Sequence, residues 1–199
     1  MNDQSDLRRL RRDAWVDDAL AGVPDRIGAA FAEEGGAMPT MIWGPRPEDA
    51  RTRQIAFLAR MFSGGERGCL VDPVLLRPAL GYINLLEPVD GGQNFRFRLY
   101  GSCLAEVTDE DLTGRLLTDL RASAHVIDFA VACYRATAIR DVPLMTVRHP
   151  AGAKHVIYWE RIVVPYRCMR SGEARLLVGN VPVEVAGSRT SQFVTLPGT

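Results

Sequence analysis

Apolar positions in the first 34 residues recur at helical spacing: Leu7, Leu10 and Ala14, then Val16, Ala19, Leu20 and Val23. Pro24 interrupts the run, and Ile27, Ala30 and Phe31 continue it as a second short helix. Further on, Ile55, Leu58, Ala59 and Phe62 form an apolar stripe that predicts a helix over 48–62, stopped by Ser63-Gly64-Gly65. Asp72-Pro73 then opens a short helical turn through Leu75, Leu76 and Leu80. The period next changes to two. Residues 82–89 read as a strand, Asp90-Gly91-Gly92-Gln93 as its turn, and residues 94–101 as a second strand. In that strand Phe95, Phe97 and Leu99 alternate with Arg96, Arg98 and Tyr100, which leaves one face wet.

Helical spacing returns between 102 and 141. A short helix over 102–107 leads to Thr108-Asp109-Glu110-Asp111, an N-cap-like cluster before Leu112. Ser123 caps the longest helix, whose apolar face runs through Val126/Ile127, Ala130/Val131, Tyr134 and Ala138/Ile139. Three strands follow, at 144–149, 155–166 and 174–185, joined by Pro150-Ala151-Gly152-Ala153 and Arg170-Ser171-Gly172-Glu173. Short hairpins pair neighbours antiparallel. The order predicts an α+β domain: a five-stranded antiparallel sheet with helices on one face, preceded by an N-terminal helical extension.

Residues 35–48 hold three prolines and three glycines and read as a linker. Its Met38, Met41, Ile42 and Trp43 place it against a surface or make it an anchor for a partner. The chain thus divides into an extension and linker (1–48), a main domain (49–186) and a flexible tail (187–199). In the strand 155–166 both parities are apolar: Ile157, Trp159 and Val163 on one side, Val156, Tyr158, Ile162 and Val164 on the other. Such a sheet needs a second covering layer, and the residues before 62 are its natural source.

Charge narrows the options. Lys+Arg and Asp+Glu balance at 24 each, so the basic excess of a nucleic-acid binder is missing. Arg8, Arg9, Arg11 and Arg12 are interleaved with Asp6, Asp13, Asp17 and Asp18. They read as a solvated helix face, or as an arm that docks on a partner or a second copy of the chain. No apolar stretch is long enough to span a membrane, and no apolar run follows the early arginines, so a cytoplasmic location is expected. The cysteines at 69, 103, 133 and 168 are too dispersed for a zinc site and read as reduced thiols. His149 and His155, flanking one turn, supply too few ligands for a metal.

Several segments carry a resemblance. Phe97-Arg98-Leu99-Tyr100-Gly101 runs into Ser102-Cys103-Leu104-Ala105-Glu106, followed by Asp111-Leu112-Thr113-Gly114-Arg115-Leu116-Leu117. Tyr158-Trp159-Glu160-Arg161-Ile162-Val163-Val164-Pro165 forms the signature strand, and Val71-Asp72-Pro73 with Leu76 and Leu80 forms the lead-in. In this order they resemble a PAS domain of a bacterial, mainly alphaproteobacterial, PAS-like family, over residues 50–185. The resemblance implies a sensory or protein-interaction module without catalytic activity, acting as a stand-alone regulator in signal transduction. It would bind a small ligand, if any, between sheet and long helix, where Tyr100, Cys103, His125, Phe129, Arg148, Trp159 and Arg161 are the cavity candidates. Its partner would be a second copy or a signalling protein, met through the N-terminal helices.

The cofactor is left open by this reading. His125 offers an axial ligand for haem, whereas a flavin photosensor needs an Asn-Cys-Arg-Phe-Leu-Gln motif that the chain lacks. The alternative is a small cone-shaped α+β enzyme, for which Tyr158 and Arg161 are the best candidates. Neither a Gly-rich phosphate loop nor a Gly-x-Ser-x-Gly elbow is present to favour it.

Overall fold

The computed structural model describes residues 3–62, 74–150, 156–168 and 171–184. Ser63-Gly64-Gly65, Cys69, Asp72-Pro73, the turn at 151–153, His155 and the tail 187–199 lie outside the described residues. Five helices and six strands follow in the order α1 (Asp3–Ala21), α2 (Asp25–Glu33), β1 (Thr40–Trp43), α3 (Arg53–Phe62), β2 (Ile83–Val89), β3 (Asn94–Leu99), α4 (Ser102–Thr108), α5 (Ala124–Arg140), β4 (Leu144–Arg148), β5 (Val156–Arg167) and β6 (Ala174–Glu184). The fold is α+β, as the pattern predicts.

Local chemistry sets the boundaries. α1 stops at Gly22, whose φ of 73° only glycine adopts freely, and Pro24 starts the next helix. Asp109 and Asp141 take left-handed conformations immediately after α4 and α5 and end both helices. The Thr108–Asp111 cluster is therefore a helix end, not the expected helix start. Asp111 closes the following turn by accepting the Thr113 N–H at 2.8 Å. Ser123 holds the N-cap position of α5, although its side chain makes no capping hydrogen bond, and α5, at 17 residues, is shorter than the 19-residue α1 and so not the longest helix as expected.

The strands form one antiparallel sheet in the order β1-β4-β5-β6-β2-β3. Two expectations are corrected here. The sheet has six strands, because the Pro/Gly-rich segment contributes β1, paired with β4 from Thr40↔Val147 to Trp43↔Leu144. Three prolines flank β1 or follow it, so their missing N–H groups cost the ladder nothing. The helices also occupy both faces instead of one. Against the first face, α5 packs over Leu86, Phe95, Phe97, Leu144, Val163, Leu176 and Val178. Against the second, α3 sets Ile55, Leu58 and Ala59 on Ile83, Met145, Ile162, Val164, Leu177 and Val181.

The second covering layer is thus α3, drawn from the residues before 62. The two N-terminal helices pack elsewhere. α1 and α2 stack on the outside of α5, burying Trp15, Val16, Ala19, Ile27 and Phe31 in the first core. That makes two helical layers on the α5 side of the sheet, with α3 covering the other face.

Candidate functional site

The first face of the sheet is largely apolar, with a polar band beneath α5. Strand register places Thr146 opposite Arg161, and Arg161 opposite Asn180, so three polar side chains cross β4, β5 and β6 in one row. Arg148, two residues beyond Thr146, projects from the same face and is the diagonal neighbour of Arg161. Trp159 stands directly opposite Arg148 in the ladder and is half-buried.

Arg161 donates from Nε to Asn180 Oδ1 at 3.3 Å, and its guanidinium lies 5.5 Å from the ring centroid of Tyr134 on α5. Neither arginine forms an ion pair with a carboxylate among the described residues. Burial, reinforced by Arg161, pushes the Arg148 pKa down to about 10. Burial also raises the phenols of Tyr100 and Tyr134, while the Arg161 charge pulls both the other way. Tyr100 reaches in from the β3–α4 junction, with its hydroxyl 3.3 Å from Thr108 Oγ1 and its ring edge-on to Phe97 at 5.1 Å. Cys133, fully buried on α5, has its thiol pushed up to about 12 by burial, so it remains protonated at neutral pH.

Around the N-terminal end of α5 the face opens into a cleft of about 360 Å³, lined by Phe31, Glu34, Ala122, His125, Val126 and Arg148 among others. The His125 ring meets Phe31 edge-on at 4.9 Å, and its Nδ1 lies 3.9 Å from a Glu34 carboxylate oxygen. Burial lowers the His125 pKa against the opposing pull of Glu34, which favours the neutral imidazole.

The seven cavity candidates therefore separate. Arg148 and Arg161 share the sheet face under α5, with Tyr100 within the electrostatic reach of Arg161, whereas Trp159, opposite Arg148 in the ladder, packs against the second core. His125 shares the cleft with Arg148. Phe129 instead packs against Phe31 of α2 at 5.3 Å, on the side of α5 turned to the N-terminal helices. Cys103 packs into the second core against Gly81, where an added Cβ would come within 2.5 Å of its sulfur. Tyr158, the enzyme candidate, lies under the guanidinium of Arg51 at 5.2 Å.

The outer side of α5 carries a second polar feature. Asp128 is fully buried and accepts Arg12 Nε at 2.6 Å, an Arg8 nitrogen at 3.1 Å and a short bond from Arg11. Arg135 continues the contact by donating to Asp13 at 2.6 Å, and Arg140 by donating to the Leu20 carbonyl at 3.3 Å. Of the four arginines expected on a solvated face, or docked on another molecule, Arg8, Arg11 and Arg12 are docked on the chain's own long helix, and Arg9 is exposed. The signal was present in the sequence: Asp128 is the sole acid of α5 and lies between Ile127 and Phe129.

On the opposite face Glu160 is fully buried, and its two carboxylate oxygens accept the backbone N–H groups of Arg51 (2.6 Å) and Thr52 (2.7 Å). It fixes the start of α3 on the sheet. Among the described residues no group of three or more His, Cys, Asp or Glu side chains could hold a metal ion, and no helix is long and apolar enough to cross a membrane. No protein-family model, curated protein or solved structure matches the chain.

Proposed function

We propose that the chain is a PAS-type sensory and protein-interaction module, acting as a cytoplasmic regulator that works by binding and not by catalysis. The element order from β2 onward supports this reading: two strands, short helices, one long helix and three consecutive antiparallel strands, with β6 returning beside β2. The observation that carries it is the double role of α5. Its inner side presents Tyr134 to the half-buried Arg161, which has no carboxylate partner among the described residues, while Asp128 clamps α1 on its outer side.

A ligand entering beneath α5 changes the position or rigidity of that helix, and the clamp passes the change to α1. α1 displays Leu7 and Leu10, 57% and 65% exposed and one turn apart, as the surface that a second copy or a signalling partner would cover. Hydrogen exchange on the full chain tests this coupling, comparing protein as purified with protein unfolded and refolded to release whatever it carries. The reading expects faster exchange of α1 amides after release. Equal α1 protection in the two samples would contradict it.

A further inference from the structure

The cleft at the N-terminal end of α5 combines three properties that bear on ligand class. It is large enough for a small molecule, at about 360 Å³. Phe31, Ala122, Val126 and Pro150 supply apolar walls. Arg148, the one arginine on its lining, has no hydrogen-bond acceptor or ion-pair partner among the described residues. Behind it, on the same sheet face, stands a second arginine without a carboxylate. Two neighbouring, partly desolvated cations of like sign repel each other and lack the anion that ordinarily accompanies such groups. The acid on the lining, Glu34, has a carboxylate oxygen 3.9 Å from His125 and is 60% exposed.

We infer that the cleft binds a small organic carboxylate, with its charged end on the Arg148 guanidinium and its apolar body against Phe31, Val126 and Pro150. A guanidinium matches a carboxylate through two parallel N–H···O bonds. Arg161 adds long-range attraction without contact. The apolar walls favour an acid with a hydrocarbon body over inorganic phosphate, which would leave them wet. Glu34 faces the same space and opposes the anion, so it sets the affinity from the other side.

This assignment rests on the ligand-binding reading above. Its test is calorimetric titration of the full chain with benzoate, benzamide and inorganic phosphate. Benzoate is expected to bind, benzamide to bind about tenfold more weakly or worse, and phosphate not to compete with benzoate. Arg148→Met should weaken benzoate about tenfold or more, Arg148→Lys should weaken it less, and Glu34→Gln should strengthen it. Glu34→Gln leaves Arg148 in place, so its benzoate-to-benzamide ratio reads the site even where Arg148→Met does not fold. Equal binding of benzoate and benzamide, phosphate binding in preference to benzoate, or unchanged binding by Arg148→Met would overturn the assignment. Failure of all three probes would do the same. If that failure accompanied a retained neutral molecule in the native mass spectrum, the sensory reading would survive; with a bare chain, both would fall.

Discussion

Asp128 and Arg12 are joined by a 2.6 Å hydrogen bond across the interface of α5 and α1, with the carboxylate fully buried and the guanidinium nearly so. Arg8 and Arg11 complete the clamp from the cleft-ward part of α1. Because Asp128 is enclosed by cations and apolar side chains, removing its charge strands three guanidinium groups against the long helix. Asp128→Asn is therefore expected to destabilise the chain by about 2–4 kcal/mol in urea unfolding. Arg8→Met, altering a side chain 41% exposed, should cost about 0.5 kcal/mol or less.

The same carboxylate gives the stability an acid limb. Burial alone would raise the Asp128 pKa, but the hydrogen bonds and charges of Arg11, Arg12 and Arg8 outweigh it and hold the pKa below the ordinary 3.8. A group depressed in the folded state stabilises fully above its unfolded pKa and loses that contribution as pH falls through the folded value. The stability gap between wild type and Asp128→Asn should thus be flat near neutrality and close only below about pH 4. Urea midpoints of both proteins across pH 2–7 check this. A gap that widens on acidification would contradict the clamp.

Glu160 is expected to hold α3 through two charge-assisted backbone bonds. Glu160→Ala leaves the Arg51 and Thr52 N–H groups without acceptors, at a cost of about 2–4 kcal/mol. Hydrogen exchange should localise the change: the amides of residues 51–55 lose protection first, while those of β2 and β3 retain it. Uniform loss across the sheet would mean that Glu160 stabilises the domain without anchoring α3.

Gly179 sets how closely α3 approaches the sheet. A Cβ there would collide with Leu58 Cδ1 and sit 3.1 Å from Ile162 Cγ2 and 3.2 Å from Ile55 Cδ1. Gly179→Ala should cost about 1–3 kcal/mol by overpacking. Combining it with Leu58→Ala should cost less than the two single changes added together, since the methyl enters the space vacated by leucine. Strict additivity in a double-mutant cycle would contradict this packing.

Much of the fold was legible because hydrophobic period is local information. The strands β2–β6 and helices α1, α2, α4 and α5 fall close to their expected positions, since alternation and helical stripes survive tertiary packing. The sixth strand was hidden because Met41, Ile42 and Trp43 are framed by prolines and glycines, and pairing with β4 is a nonlocal event. The second covering layer was legible from the double apolar parity of β5, and α3 supplies it. The clamp was missed for a different reason. Charge periodicity along α1 describes which residues share a face, whereas the partner, Asp128, lies more than a hundred residues away. Of the candidate site, the parity argument placed Arg161 and Trp159 on one side of β5. It was silent on Thr146 and Asn180, which join Arg161 only through strand register.

The central claim is that the space under α5 is a ligand site, and native mass spectrometry of freshly purified full-length chain tests it most directly. The account predicts a mass above that of the 22.0 kDa polypeptide, by the mass of one small molecule per chain. A bare polypeptide mass, as monomer or dimer, would contradict the claim and show that the domain keeps Arg148 and Arg161 without a ligand.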